Sequence, residues 1–181
     1  MSIGTYSDVI IIAKQQEIEK LYKKLDSLPE NKTSIGPVKS FRDNSEYSQK
    51  TDPLNNGFFR MSDVITGEVN QIDSTLKDYQ FLYIKSAGNS CAWKPELFLS
   101  ANDIDYVLMV ENASSENEPY EESVTMRNRL TNHYEHVSLV SDDPMISDDP
   151  RYGEKPSEFI LYGKRLVDKA SKIYEQMNDV S

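Results

Sequence analysis

The amino-acid sequence predicts an α+β protein in which a largely antiparallel sheet is packed by an N-terminal helix and a long C-terminal helix. Short runs rich in β-branched and aromatic residues recur along the chain, beside segments whose apolar residues follow helical spacing. The order of these patterns is mixed, which is typical of helices packed against an antiparallel sheet. No segment repeats with a period of about 20 to 50 residues, which excludes solenoids and propellers.

The first predicted elements are a strand and a helix. Residues 7–14 form a short apolar run rich in β-branched residues. Apolar residues then recur through Leu28 at the three-and-four spacing of one helical face. Pro29 ends this helix, and Lys23 and Lys24 in its last turn suit the negative end of the helix dipole.

The middle of the chain predicts further strands. Residues 57–72 favour strands that break near Gly67, with a helix as the alternative. The alternating, β-rich stretches 79–85 and 104–111 predict two more strands. Between them, Pro95 predicts the start of a helix, because proline is favoured in the first helical turn.

The last third of the chain predicts a strand and a long helix. Residues 123–132 suit either type, and residues 136–140 predict a strand. After Pro156, apolar residues form one helical stripe that reaches Met177, while lysine and arginine coat the outer face. We expect the apolar stripe of this helix to belong to the core.

The length of 181 residues predicts one globular domain over residues 1–181. A domain of this size buries about 70% of the surface of its unfolded chain, so it needs neither a disulfide nor a structural metal. Long polar loops are expected at about 29–56, 111–122 and 141–156. Loops longer than about a dozen residues are usually functional or disordered.

Cysteine usage and hydropathy predict a cytoplasmic protein. Cys91 is the single cysteine, so no internal disulfide can form. The N-terminus lacks the basic and apolar regions of a signal peptide. The longest apolar run has five residues, whereas a membrane-spanning helix needs about 20.

The charge balance favours a basic protein partner. The chain has 20 basic and 30 acidic residues, which gives a formal charge of −10 at neutral pH. This charge disfavours direct binding to nucleic acid or to anionic lipid, since both select basic surfaces. Acidic chains of this kind are also common for solubility alone.

Acidic residues and tyrosines gather in two segments, which we call the acidic segments: residues 111–122 and residues 141–156, where a Ser-Asp-Asp-Pro element occurs twice. Clustered carboxylates recruit lysine and arginine side chains, and tyrosine is enriched at protein interfaces. The alternative is that these segments are merely solvated loops. The predicted partner-binding residues are Glu116, Glu118, Tyr120, Glu121, Glu122, Asp142, Asp143, Asp148, Asp149 and Tyr152.

Motifs for cofactors, metals and catalysis are sparse. The glycine-rich loops that bind phosphate do not occur, so no cofactor is expected. His133 and His136 lie three positions apart, which places them on opposite faces of a strand, so no metal is expected. Cys91 and these histidines are the ingredients of a nucleophilic site. The alternative function is therefore a small cysteine-dependent hydrolase that uses Cys91 with His136 or His133.

Together these patterns predict a non-enzymatic protein that inhibits or docks onto a basic partner, for example a nucleic-acid-binding enzyme such as a nuclease. A compact, acidic chain with few motifs resembles, in type, toxin-immunity proteins and phage-encoded antagonists of host defence. An acidic face with tyrosines also imitates the charge of a nucleic acid backbone. We expect neither direct nucleic acid binding nor membrane binding.

Overall fold

The computed structural model describes residues 5–34, 36–48, 57–88, 93–115, 121–139 and 156–178. These residues form a nine-stranded antiparallel sheet with helices on both faces, which confirms the α+β class. Among the helices in these ranges, none is long and apolar enough to cross a membrane.

Strands and helices follow one another in no regular order. The strands are β1 Thr5–Ala13, β2 Glu30–Thr33, β3 Gly36–Ser40, β4 Phe58–Phe59, β5 Val64–Glu68, β6 Gln80–Gly88, β7 Leu108–Ser115, β8 Glu121–Asn128 and β9 His133–Leu139. The helices are α1 Gln15–Asp26, α2 Ser45–Ser48, α3 Pro95–Ala101 and α4 Glu158–Asn178. The sheet order is β2-β3-β4-β6-β1-β7-β8-β9, and β5 also pairs with β6.

The central strand is β1, which pairs with β6 on one side and with β7 on the other. The residues from Val9 to Ala13 have 0% exposed surface. A strand buried on both faces requires apolar residues at consecutive positions rather than at alternate ones. This requirement explains the continuous run of isoleucines in the sequence.

Two hydrophobic cores lie on opposite faces of the sheet. On one face, which we call the α1/α3 face, α1 and α3 pack against Val9, Ile11 and Met109. On the other face, α4 packs against Ile10 and Val110. Successive residues of β1 and β7 therefore serve different cores, as the period of two in a strand requires.

The region 29–56 differs from the expected polar loop. Its described residues include β2, β3 and α2, and both Phe41 and Tyr47 are fully buried. The Phe41 ring stacks on Trp93, with centroids 4.2 Å apart. The Tyr47 hydroxyl accepts a hydrogen bond from the Lys94 backbone N–H at 3.0 Å. These contacts position the start of α3.

The ends of several strands also differ from expectation. Gly67 lies inside β5, where a Cβ atom would stand 2.9 Å from the Phe81 ring, so this glycine serves close packing rather than a strand break. The strand expected from residue 104 begins at Leu108. Residues 123–128 belong to β8, which settles the choice between helix and strand.

The acidic segment 111–122 is mostly strand where the structure describes it. Residues 111–115 continue β7, and Glu121 and Glu122 begin β8. Residues 116–120 and 141–155 lie outside the described residues.

The long C-terminal helix is confirmed as α4, and it packs closely on the sheet. Leu166 is 1% exposed, and Gly163 allows the helix to approach β7 and β8. A Cβ atom at Gly163 would stand 2.6 Å from the Met126 sulfur and 3.2 Å from a Val110 methyl group.

Truncation of the α4 stripe should destabilise the protein. We expect Leu166→Ala to lower the free energy of unfolding by about 2–5 kcal/mol, because it leaves a cavity in a buried core. Met177, at the end of the predicted stripe, is 61% exposed and does not belong to the core. Met177→Ala is therefore the matched control on the same helix, and it should change stability by less than about 0.5 kcal/mol. Urea denaturation followed by circular dichroism measures both. Equal stability of the Leu166 variant and the wild type would show that this stripe packs on nothing.

Candidate functional site

A cavity of about 540 Å³ opens on the α1/α3 face over β7, β8 and β9, and we call it the β7–β9 cavity. Strand residues form its floor, and the start of α3 forms one wall. The wall residues are Trp93, Lys94, Pro95, Glu96 and Leu97.

The floor contains a row of three polar residues that lie opposite one another on adjacent strands. Glu111 of β7 pairs with Thr125 of β8, and Thr125 pairs with His136 of β9. Directly opposite residues in antiparallel strands share a face, with Cβ atoms about 5 Å apart. A carboxyl group, a hydroxyl and an imidazole therefore line the cavity side by side.

A second row lies two residues further along each strand and faces the same cavity. Ala113 pairs with Ser123, and Ser123 pairs with Ser138. Because Ala113 has only a methyl group, it leaves space beside Glu111. This row therefore supplies two hydroxyls around an open position.

The row on the other side of Glu111 closes one end of the cavity. Arg127 forms an ion pair with Glu96 of α3. The Arg127 guanidinium carbon also lies 4.6 Å from the centre of the Tyr134 ring. The negative charge of Glu96 is thus already matched by a cation of this chain.

The Glu111 carboxyl group is different, because it forms no ion pair with the described residues. Its one hydrogen-bond partner within those ranges is Ser7, whose hydroxyl donates to Oε2 at 3.2 Å. Burial raises the pKa of Glu111 from 4.5 to about 7, an effect opposed by the Ser7 hydrogen bond and increased by the charge of Glu96. Glu111 is therefore a carboxyl group whose charge a nearby cation would stabilise.

The two histidines occupy opposite faces of β9, as their spacing predicts. His136 lies in the cavity, and its Nδ1 is 2.6 Å from the Thr125 hydroxyl oxygen. His133 lies on the α4 side, where its ring stacks on Phe159 with centroids 4.0 Å apart. Its Nε2 is 2.8 Å from a Glu135 carboxylate oxygen. Of the two imidazoles, His136 is the one in the cavity.

The structure places only part of the predicted partner-binding set. Glu122 borders the cavity at the start of β8, but its side chain lies on the α4 face of the sheet, where its Oε1 is 3.5 Å from Lys164 Nζ. For Glu121 the structure describes the backbone, as the first residue of β8. The others lie outside the described residues: Glu116, Glu118, Tyr120, Asp142, Asp143, Asp148, Asp149 and Tyr152.

The described residues beside the gap 116–120 and before residues 141–155 lie at one end of the sheet, whereas Ser157, which follows the second acidic segment, donates a hydrogen bond to Glu135 in the first half of β9. Ser115 at the end of β7 pairs with Glu121 at the start of β8. Leu139 at the end of β9 pairs with the neighbouring Glu122. The rim of the cavity includes Ser115 and Ser138, so the chain enters both acidic segments from beside the cavity.

Cys91 lies outside the described residues, between Gly88 at the end of β6 and Trp93. Gly88 pairs with Thr5, and both Thr5 and Trp93 line the cavity. The chain on either side of the thiol is thus joined to the same end of the sheet as the acidic segments.

The sequence analysis missed Glu111 as a site residue, although it placed residue 111 both at the end of the predicted strand 104–111 and at the start of an acidic loop. The informative signal was its spacing from Met109, since residues two apart in a strand share a face. A carboxylate in line with a buried residue of a strand marks either a cavity or a paired charge.

Comparisons with known proteins gave no match to a family model, a curated protein or a solved structure. Within the described ranges, no three His, Cys, Asp or Glu residues are grouped so that they could hold a metal ion.

Ionisation of Glu111 should destabilise the fold. Because its folded pKa of about 7 lies above the ordinary value of 4.5, folded protein binds more protons than unfolded protein between these pH values. The free energy of unfolding therefore falls as pH rises from 4.5 to about 7, by about 3 kcal/mol at most. We expect Glu111→Gln to remove this part of the pH dependence, measured by urea denaturation across that range.

The exposed Glu175 on α4 offers a control for this measurement, since Glu175→Gln makes the same chemical change away from the cavity. Its pH profile should match that of the wild type. A Glu111→Gln profile that also matches the wild type would contradict the raised pKa.

Proposed function

We propose that this protein is a non-enzymatic, cytoplasmic binding protein that captures a basic protein partner. The binding face would consist of the β7–β9 cavity and the two acidic segments. The observation that carries this proposal is the Glu111 carboxyl group on the cavity floor, which forms no ion pair with the described residues.

An unpaired carboxylate in a cavity costs free energy, because burial removes water without supplying a compensating charge. A lysine or arginine side chain from a partner would supply that charge. Groups with strongly shifted pKa values in concave sites are good candidates for functional residues. Glu111 meets both conditions, since burial shifts its pKa and it lines the β7–β9 cavity.

The acidic segments add long-range attraction to this local site. The formal charge of −10 and the carboxylates of residues 111–122 and 141–156 would speed encounter with a basic protein. A nuclease or another nucleic-acid-binding enzyme presents such a basic surface, and an acidic binder would occupy it in place of nucleic acid. Inhibitors of the toxin-immunity or phage anti-defence type would act in this way.

Charge removal from the acidic segments should slow association. We expect a quadruple variant with Asp142, Asp143, Asp148 and Asp149 changed to Asn to bind its partner with a lower on-rate and a flatter salt dependence. The partner is first captured from cell extract at low and high salt and identified by mass spectrometry. Surface plasmon resonance of the purified pair then gives the on-rate.

A matched control changes the same amount of charge elsewhere. Glu19, Asp26, Glu68 and Glu175 are exposed and do not line the β7–β9 cavity, so their amide variants should leave the on-rate nearly unchanged. Capture of an acidic partner, or equal on-rates for the two quadruple variants, would contradict the proposal.

A second candidate function is a small cysteine-dependent hydrolase. The observation that favours it is that Trp93, two residues after Cys91, lines the same cavity as His136. A catalytic thiol requires an imidazole or a similar group to lower its pKa. His136 would be that base, because His133 is stacked on Phe159 on the other face of the sheet.

Thiol labelling separates the two functions, and the single cysteine makes the readout unambiguous. For a binding protein we expect slow alkylation of native Cys91 by iodoacetamide at neutral pH, fast alkylation after unfolding, and no change in His136→Ala. His133→Ala is the matched control. Fast native labelling that slows only in the His136 variant would favour the hydrolase and contradict the binding function.

A further inference from the structure

We propose that the β7–β9 cavity binds the guanidinium group of one partner arginine, over Ala113 and between the Glu111 carboxylate and the hydroxyls of Ser123 and Ser138. This inference rests on the proposed function, and it specifies the chemistry of the partner at the centre of the interface.

The position of Ala113 provides the space. It lies between Ser7 and Ser123 in a continuous cross-strand row, and it is the one residue of that row without a hydroxyl. Its methyl group leaves the sheet surface open where the neighbouring strands carry longer polar side chains. The cavity of about 540 Å³ lies within the usual range for ligand sites and is large enough for a side chain and its stem.

The acceptors around Ala113 suit a guanidinium better than an ammonium. A guanidinium carries five N–H donors in one plane, and it can donate two parallel hydrogen bonds to a carboxylate. Glu111 supplies the carboxylate, while Ser123 and Ser138 supply hydroxyl oxygens on the two strands beyond it. These acceptors are spread over three strands spaced about 4.8 Å apart, a separation that a planar fork spans better than a point charge.

The walls of the cavity suit the stem of an arginine. Leu97 lines the cavity and is partly exposed, so it offers apolar surface to the methylene groups, whereas Trp93 and Met109 are buried. Glu96 is not available as a competing acceptor, because it already pairs with Arg127. Of Glu96 and Glu111, Glu111 is therefore the carboxylate with which an incoming cation would pair.

The site should bind more tightly as pH rises. Burial raises the pKa of Glu111 to about 7, so a guanidinium must displace a proton at lower pH. The titratable and charged groups that face this carboxyl group are Lys94, which precedes α3, Glu96 from α3, Arg127 from β8, and Tyr134 and His136 from β9. From β1, Ser7 contributes a hydroxyl that stays neutral.

The test uses three small probes that share one backbone: the N-acetyl amides of L-arginine, L-lysine and L-citrulline. Binding to the full chain is followed at low salt by backbone amide shifts in NMR spectra at about pH 6 and pH 8. We expect the arginine probe to bind at least tenfold more tightly than the lysine probe, and the citrulline probe to be weakest. Affinity for arginine should increase several-fold at the higher pH, and shifts should centre on β7, β8 and β9.

Variants locate the site. Ala113→Leu should fill the space and abolish the preference for arginine, whereas Ala113→Ser should keep it. Glu111→Gln should weaken arginine binding at least tenfold and remove its pH dependence. Thr66→Leu adds a comparable side chain at an exposed strand position and serves as the control. Thermal unfolding and amide spectra of each variant show whether it has folded.

The outcomes separate this inference from the function on which it rests. Equal affinity for arginine and lysine, or undiminished arginine binding in folded Ala113→Leu, would overturn the arginine site. If basic proteins are still captured in that case, the binding function stands without it. If capture also fails, both proposals are wrong.

Discussion

The pairing of β1 with β7 is the constraint on which the rest of the molecule depends. Four consecutive large aliphatic residues, from Val9 to Ile12, must be buried on both faces of the sheet, so β1 has to lie in its centre. In the observed register Val9 lies opposite Glu111 and Ile10 lies opposite Val110. A shift by one residue would place the Glu111 carboxylate under α4 and Val110 in the cavity. The free energy cost of burying that charge in an apolar core favours the observed register. This register places Glu111 in the cavity.

Two kinds of carboxylate have different physical roles in the proposed interface. Exposed carboxylates act at long range, where they mainly change the rate of encounter and are screened by salt. A carboxylate on the floor of a cavity acts at contact, where pairing and desolvation mainly determine how long a complex lasts. The acidic segments would supply the first kind and Glu111 the second. In the proposed interface both kinds would act on one partner.

The sequence predicted the elements that have a strong period or a clear end signal. The continuous apolar run of β1, the helical stripe of α4 and Pro95 at the start of α3 all led to elements that the structure contains. The elements within residues 30–48 were not predicted, because the buried aromatic residues of this region, Phe41 and Tyr47, are too widely spaced to give a period. They are recognised only by their packing against Trp93 and Phe98.

The candidate site was less accessible to sequence analysis than the fold. The second half of β7 is polar because one of its faces lines a cavity, so a search for alternating apolar residues ends the strand too early. The row from Glu111 to His136 joins residues that are 25 positions apart in the chain, and only the pairing of β7 with β8 and of β8 with β9 brings them together. Acidic composition indicated the right end of the molecule through Glu122, but it could not indicate which carboxylate lacks a cation.

Successive side chains along β7 and β8 point to opposite faces of the sheet. This alternation separates the residues that stabilise the fold from those that would determine partner specificity. Val110, Val124 and Met126 contact α4, and Gly163 lets that helix rest directly on them. Glu111, Ala113 and Ser123 face the cavity and contribute little to that core. Substitutions on the cavity side can therefore accumulate without loosening the helix behind it. Proteins of this kind could adapt to a changing target through substitutions on the cavity face of β7 and β8, while selection conserves the face that packs on α4.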